Sequence, residues 1–460
     1  MAPPVQCQIM PSRKLFGTDG MRGVARRYPL DQETVLKVGK SIGDLLCQMN
    51  GAGQSRAVLG EDTRESSRWI SEALAAGVKA SGAKLSYAGV ITTPGIAFLA
   101  RHYGFTAGIM VSASHNPYYD NGIKVFSNSG VKLTESQELE IERAIERDGS
   151  KGGTPLQEGL VAEPVFLEQY LSYLEGILPG DLPFPKAPLV VDCANGAASR
   201  VVPILLKNLG IEARILNAAP DGRNINLQCG SLYPDSMAHE TQASGAHLGV
   251  AFDGDADRAI FATKDGHIAD GDHVLYAVAP FYEQNQNLKG HTVVGTQMTN
   301  LGLERALERH GISLKRTAVG DRYVLEEMLR SGYNLGGEPS GHIIFADLSL
   351  AGDGIVTLLQ MLRILGETGG SFTELVGGLR QYPQVIRNVR VREKRPLESI
   401  PEVGRTIEAC RAELGKTGRI VVRYSGTEPL ARVMVEAEDA TSVKRYAERI
   451  ARAIESAIGA

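Results

Sequence analysis

The chain has 460 residues, more than one hydrophobic core accommodates, so its length points to three or four domains. It is 43% apolar and 22% charged, which excludes a disordered polymer. A net charge of −4 supplies no global field for nucleic acid or an anionic membrane, so an anionic small substrate needs local arginines and lysines.

Short apolar runs alternate with helical patterns, the signature of α/β units. Arg56–Gly60 reads as a buried strand and residues 66 to 81 as a helix. Gly108–Val111 is another short strand and runs into SASHNP. Thr134 and Gln137 have the spacing of a capping box at a helix start. Phe166, Tyr170, Tyr173 and Ile177 recur at helical spacing and predict a packed helix face. The proline-rich stretch Pro179–Pro188 separates that helix from a strand at Leu189–Asp192, so a domain boundary lies on one side of the helix or the other. Leu248–Phe252 is a further strand, ending in DGDADR. After Pro383 come a strand (Val385–Val391), a helix from about Glu402, and strands Arg419–Tyr424 and Arg432–Ala437. A last helix carries Val443, Ala447, Ile450 and Ile454 on one face, so this unit reads as a small separate domain.

The five cysteines (Cys7, Cys47, Cys193, Cys229, Cys410) are odd in number, widely spaced and form no CxxC. That argues against a disulfide framework or a zinc site and fits a reducing compartment. The opening MAPPVQCQIMPSRK lacks the apolar core of a signal peptide, and no apolar run nears the roughly 20 residues that span a bilayer. The expected location is the cytoplasm.

Asp253, Asp255 and Asp257 stand at alternate positions after an apolar strand. In an extended loop that spacing puts three carboxylates on one side, a hard oxygen set suited to Mg²⁺. A lone DxD is more often a solvated turn; three in register favour a metal, and EF-hand spacing is absent. Ser112 and Ser114 begin where a buried strand ends, the usual ligand end of an α/β sheet. A serine nucleophile needs activation, for which His115 is adjacent and Lys124 follows; taken alone, Asn116-Pro117 is simply a turn. Arg423, Ser425, Gly426 and Thr427, with Arg432 beyond, offer guanidinium groups, hydroxyls and backbone N–H groups to a phosphate dianion. A hairpin with surface arginines is an equal reading of that segment by itself. Glu338 and Ser340 lie in a Gly-rich loop suited to sugar hydroxyls, and Arg22 lies in FGTDGMRG; each alone reads first as a turn. Together they supply a hydroxyl nucleophile, a metal cage, a polyol loop and a phosphate clamp, which is phosphosugar chemistry.

SASHNP, DGDADR, GGEPSGH and RYSGTEP, in this order and spanning almost the whole chain, resemble the α-D-phosphohexomutase superfamily. Phe16–Gly23 and Val319–Val324 (VGDRYV) resemble its bacterial members. The resemblance implies an α/β protein with three related mixed-sheet α/β domains and a smaller C-terminal α+β domain around a central cleft. The expected divisions are 1–164 with the phosphoserine loop, 165–264 with the metal loop, 265–382 with the sugar loop and 383–460 with the phosphate loop. Ser114, rather than Ser112, matches the phosphoserine. One Mg²⁺ per subunit is implied between the Ser114 phosphate and Asp253, Asp255 and Asp257. Glu338 and Ser340 match the sugar loop, and Arg423, Ser425, Gly426 and Thr427 the phosphate loop. Arg22, Lys124 and His342 fall where the family places groups that assist proton transfer or stabilise charge. The activity implied is a phosphosugar mutase primed by a hexose 1,6-bisphosphate, with a small-molecule substrate, no nucleic-acid or membrane partner, and a homodimer as the assembly compatible with the family. Pro339 departs from the pattern, since similar enzymes often carry Gln, Asn or Met there, which leaves the hexose open between glucosamine, glucose and mannose. Outside the family, DGDAD also resembles the DxD loop of aspartate-nucleophile phosphatases, and a sugar-phosphate sensor without turnover is the non-enzymatic rival.

Overall fold

The structure, a computed structural model, describes residues 15–17, 19–51, 53–147, 159–180, 182–183, 188–415, 417–425 and 429–460. Its first sheet contains β1 (Phe16–Gly17), β2 (Gly20–Val24), β3 (Arg56–Glu61), β4 (Lys84–Val90), β5 (Ala107–Val111) and β6 (Asp120–Ser127), in the order β1-β2-β6-β5-β3-β4. The second contains β7 (Leu189–Asp192), β8 (Ala213–Leu216), β9 (Leu248–Phe252), β10 (Ala259–Thr263) and β11 (Ile268–Ala269), in the order β11-β10-β9-β7-β8. The third contains β12 (Thr292–Thr296), β13 (Ser313–Thr317), β14 (Leu335–Gly337) and β15 (Ile343–Phe345), in the order β13-β12-β14-β15.

One four-strand kernel recurs in all three sheets. In each, a central strand (β3, β7, β12) pairs in parallel with two neighbours. The second of these neighbours (β5, β9, β14) then pairs antiparallel with the strand that follows it. The parallel strands are covered on both faces, which explains why β5 (AGIMV) and β9 (LGVAF) are apolar and buried throughout instead of alternating. The link across each parallel-to-antiparallel reversal is a chemistry-bearing motif: residues 112–119 between β5 and β6, Asp253–Arg258 between β9 and β10, and Glu338–His342 between β14 and β15. The topology therefore puts each motif at the carboxyl end of a buried strand, where open α/β sheets bind ligands.

A fourth, antiparallel sheet contains β16 (Gln384–Arg390), β17 (Gly418–Tyr424) and β18 (Leu430–Ala437), in the order β16-β18-β17. The helices Pro401–Leu414 and Ala440–Ile458 cover it. Val443, Ala447, Ile450 and Ile454 are all buried in a core separate from the rest of the chain. Each fully buried isoleucine contributes about 1.5–3 kcal/mol to that core. By contrast, one continuous core runs from Val58 and Phe105 through Val250 and Ile355 to Leu379, joining the first three units.

Local signals act as their chemistry dictates. The Thr134 hydroxyl accepts from Gln137 N–H, and the Gln137 side chain accepts from Thr134 N–H, before the helix Glu135–Arg147. Phe166 and Tyr170 are buried on the helix Pro164–Glu175, with Tyr173 packed beside them. Ile177 is buried too, but it lies past the helix end, which Gly176 caps. Residues 181 and 184–187 of the proline-rich stretch lie outside the described residues.

Candidate active site

Three carboxylates meet below the loop that carries Ser114. Ligating oxygens of Asp253, Asp255 and Asp257 all lie within 4.8 Å of one another, and all three residues are buried. The loop brings them together as a tight turn and not by extended alternation: Ala256 N–H donates to Asp253 C=O (3.0 Å), and Ala256 has φ +58°. The small residues between the aspartates make that turn sterically accessible. Burial and the neighbouring Asp257 and Asp255 charges push the Asp253 carboxyl well above its ordinary pKa, since adjacent carboxylates resist common ionisation in a dry site.

Ser114 follows β5 in the left-handed region, with φ +52°. Its Oγ donates to Asp253 Oδ2 at 2.5 Å and lies 3.2 Å from His115 Nδ1. Ser112 points elsewhere, its hydroxyl donating to Asp62 (2.7 Å). Burial, followed by Arg258 and Arg22, pulls His115 down to about 4, which leaves its imidazole neutral at pH 7.

Lys124 comes from β6, buried to 1% exposure, with Nζ 2.8 Å from Asp255 Oδ2 and 3.3 Å from Asp257 Oδ2. Burial opposes its ammonium, but Asp19, Asp255 and Asp257 outweigh that and raise its pKa, so Lys124 is protonated. Arg22, on β2, donates to Asn116 Oδ1 (3.1 Å) and pairs with Asp19. His342, from the third sheet, places Nδ1 3.8 Å from Asp257 Oδ1 and Nε2 3.7 Å from Asp321 Oδ2. Burial works against its imidazolium, but Asp257, Asp321 and Glu338 outweigh it and raise its pKa.

Glu338 is nearly buried and accepts from Gly320 N–H (3.1 Å). The Ser340 hydroxyl, two residues on, is buried with no partner among the described residues. Arg423 and Arg432 are direct cross-strand partners on β17 and β18, with Ser425 at the end of that hairpin. They form a second basic group on the C-terminal sheet, and Gly426 and Thr427 lie outside the described residues.

The acidic set fits a divalent cation. Asp255 Oδ1 and Asp257 Oδ1 are buried and have no hydrogen-bond partner among the described residues, a costly state that a cation relieves. Hard oxygen donors of this kind, together with an oxygen on Ser114, suit Mg²⁺.

Several neighbours were given no role by the sequence, although Asp19 lies in FGTDGMRG and Asp321 in VGDRYV. Thr93 donates to Asp255 Oδ2 (2.5 Å), Asp19 accepts from Lys132 (2.6 Å), and Lys132 also reaches Asp321 (2.7 Å). Asp62 and Arg64 follow β3 directly. A charged pair just past a buried strand was the signal that could have found them.

The three repeated sheets and the serine–aspartate–lysine site at their reversals define a phosphosugar mutase architecture. The chain belongs to the phosphoglucomutase/phosphomannomutase family: its alpha/beta/alpha domains I, II and III match residues 13–151, 169–266 and 270–382, and its C-terminal domain matches 387–453. It is accordingly an enzyme, an intramolecular phosphotransferase of the isomerase class. Among similar proteins, the phosphoglucosamine mutase of Koribacter versatilis is 48% identical, covering 98% of both chains. That of Solibacter usitatus is 46% identical, over 97% of this chain and 100% of its own. The solved phosphoglucomutase/phosphomannomutase family protein of Burkholderia thailandensis shares the fold with a TM-score of 0.78, at 24% identity over 97% of this chain and 98% of its own. Aspergillus fumigatus N-acetylphosphoglucosamine mutase, solved in complex with GlcNAc-6P and magnesium, has a TM-score of 0.60 at 21% identity, over 87% of this chain and 82% of its own. Among the described residues, no helix is long and apolar enough to cross a membrane.

Proposed function

We propose that the chain interconverts glucosamine 6-phosphate and glucosamine 1-phosphate, with Ser114 as the phosphoryl carrier, in the cytoplasm. The observation that carries the reading is the Ser114 Oγ at 2.5 Å from Asp253, inside the buried aspartate cluster. The relatives called phosphoglucosamine mutase support the choice of sugar. The proposed divisions 1–164, 165–264, 265–382 and 383–460 give one motif to each domain.

Phospho-Ser114 transfers its phosphoryl group to O1 of glucosamine 6-phosphate, giving a 1,6-bisphosphate. After this intermediate turns over in the cleft, Ser114 takes the 6-phosphoryl group, and glucosamine 1-phosphate leaves. A trace of hexose 1,6-bisphosphate primes Ser114. Asp253, Asp255, Asp257 and a phosphoserine oxygen would hold Mg²⁺, which would supply charge neutralisation for the transferring group. Lys124 holds a proton beside the reacting oxygens, and Arg22, His115 and His342 stabilise charge around them. Glu338 and Ser340 orient sugar hydroxyls. Arg423, Ser425, Gly426, Thr427 and Arg432 clamp the phosphate that is not reacting, so one clamp serves both half-reactions. The product would feed UDP-N-acetylglucosamine and cell-wall precursor synthesis.

Phosphorus NMR with Mg²⁺, a trace of hexose 1,6-bisphosphate and either glucosamine, glucose or mannose 6-phosphate tests this. The glucosamine sample should convert fastest, and Ser114→Ala should abolish conversion. Wild-type rates in that variant would remove the serine relay. Faster conversion of glucose or mannose would establish the second reading, a phosphomannomutase/phosphoglucomutase, which Pro339 in the sugar loop leaves open.

A further inference from the structure

Behind the nucleophile loop lies a side chain that none of the motifs contains. Arg64 is 3% exposed. Its guanidinium donates from Nη2 to Ser114 C=O (2.9 Å) and Asn116 C=O (2.8 Å), and from Nη1 to Pro117 C=O (2.5 Å). Nε closes an ion pair with Asp62 Oδ2 (2.9 Å), both side chains fully buried. Asp62 is fixed in turn by the Ser67 and Ser112 hydroxyls, each at 2.7 Å. Ser112 Oγ accepts from Ser114 N–H (2.9 Å), so this network grips the nucleophile's peptide groups on both sides. From the second sheet's domain, Asn226 Nδ2 adds bonds to the same Ser114 (2.9 Å) and Asn116 (3.1 Å) carbonyls.

The left-handed backbone of Ser114 explains what the grip is for. A residue with a Cβ adopts φ +52° only when its surroundings over-determine it. Two donors on the Ser114 carbonyl fix the orientation of the peptide that follows it. With the Ser114 N–H held on Ser112 Oγ as well, both ends of the residue are fixed and φ cannot relax to an ordinary value, a change that would carry Oγ away from Asp253. Arg is suited to this task because its planar fork serves several acceptors at once, whereas Lys is a single mobile charge.

We infer that Asp62, Arg64 and Asn226 are positioning residues for the phosphoryl transfer: they hold Ser114 in its left-handed conformation with Oγ on the aspartate cluster. The inference rests on the reading of Ser114 as the phosphoryl carrier. Its consequence falls on the chemical step, because the phosphate clamp and the sugar loop belong to other domains.

Two variants test it. Arg64→Lys keeps a charge for Asp62 but loses the fork. Asn226→Gly removes the second set of donors while tolerating that residue's φ of +58°. For each, kcat and KM, the single-turnover loss of phosphate from phospho-Ser114 followed by intact mass, and the melting temperature are measured. Arg64→Lys should lower kcat and the single-turnover rate on the order of 10²-fold, and Asn226→Gly about tenfold, with KM within about twofold of wild type. A merely structural role predicts a lower melting temperature with wild-type rates per folded molecule, and that result would overturn the inference, as would a change in KM alone. Should Arg64→Lys fail to fold, Asn226→Gly decides. Ser114→Ala is run in parallel: activity there removes the carrier reading itself, whereas an inactive Ser114→Ala beside an unimpaired Asn226→Gly removes only the positioning role.

Discussion

Arg322 of the third domain grips Glu138 of the first, with Nη2 2.7 Å from Oε1 and Nη1 3.2 Å from Oε2, and both side chains are at least nine-tenths buried. Beside it, Lys132 and Asp321 make a second bridge between the same domains (2.7 Å). Removing one partner of a buried pair leaves the other charge stranded, at about 3–5 kcal/mol. Arg322→Met should therefore lower the melting temperature by roughly 5–15 °C. Arg363→Met, which breaks the largely exposed Arg363–Glu367 pair, should barely change it. Calorimetric scans of both variants at fixed Mg²⁺ make the comparison; equal effects would mean that burial of the Arg322 pair carries no special weight.

Asp255 offers an unpartnered buried oxygen to a cation while its other oxygen accepts from Lys124 and Thr93. Asp255→Asn removes a negative charge from the cage but conserves its volume. The Mg²⁺ concentration giving half-maximal activity should rise at least about tenfold, with a matching loss of Mg²⁺ affinity by calorimetry. An unchanged titration would place the metal elsewhere.

How much of this was readable beforehand varies with the range of the interactions. Leu248–Phe252 was legible because a strand buried on both faces is a plain apolar run, and Asp253, Asp255 and Asp257 because they alternate within one short segment. The edge strand Ser313–Thr317 carries lysine and arginine and gives no such signal, and the two-residue strands Phe16–Gly17 and Ile268–Ala269 are too short to show a period. Arg64 acts on carbonyls about 50 residues away, and Asn226 on the same carbonyls from 110 and 112 residues away; neither relationship leaves a local spacing. VGDRYV stood out as a segment, but only the fold reveals that Asp321 and Arg322 reach Lys132 and Glu138 across a domain boundary.

Gly254 separates the first two aspartates, and a Cβ there would come within 2.6 Å of the Ser114 carbonyl oxygen. That oxygen is backbone held by Arg64 and Asn226, so it cannot yield cheaply. Gly254→Ala should push the Ser114 loop and the Asp253–Asp257 loop apart, at about 1–3 kcal/mol of overpacking. The expected result is a folded protein whose kcat falls at least about tenfold. Steady-state kinetics with circular dichroism checks this, and wild-type kcat would show that the two loops have slack.

Asp353 caps the helix Gly354–Thr368 through Oδ1, and its Oδ2 accepts from the Tyr170 hydroxyl (2.7 Å). Burial nevertheless pushes its carboxyl up to about 6 from an ordinary 3.8, against the pull of Tyr170 and the Val356 and Ile355 N–H groups. The folded chain thus binds this proton more tightly than the unfolded chain does. The stability it confers is complete below about pH 4 and is lost as pH rises to about 6, by about 3 kcal/mol at most. Asp353→Asn keeps an oxygen for the cap and cannot ionise, so it escapes that loss. The melting temperature of Asp353→Asn minus that of wild type should therefore climb between pH 4 and pH 7 and then level off. A difference that stays flat across this range would show that Asp353 ionises as an ordinary carboxylate, with its three donors outweighing its burial.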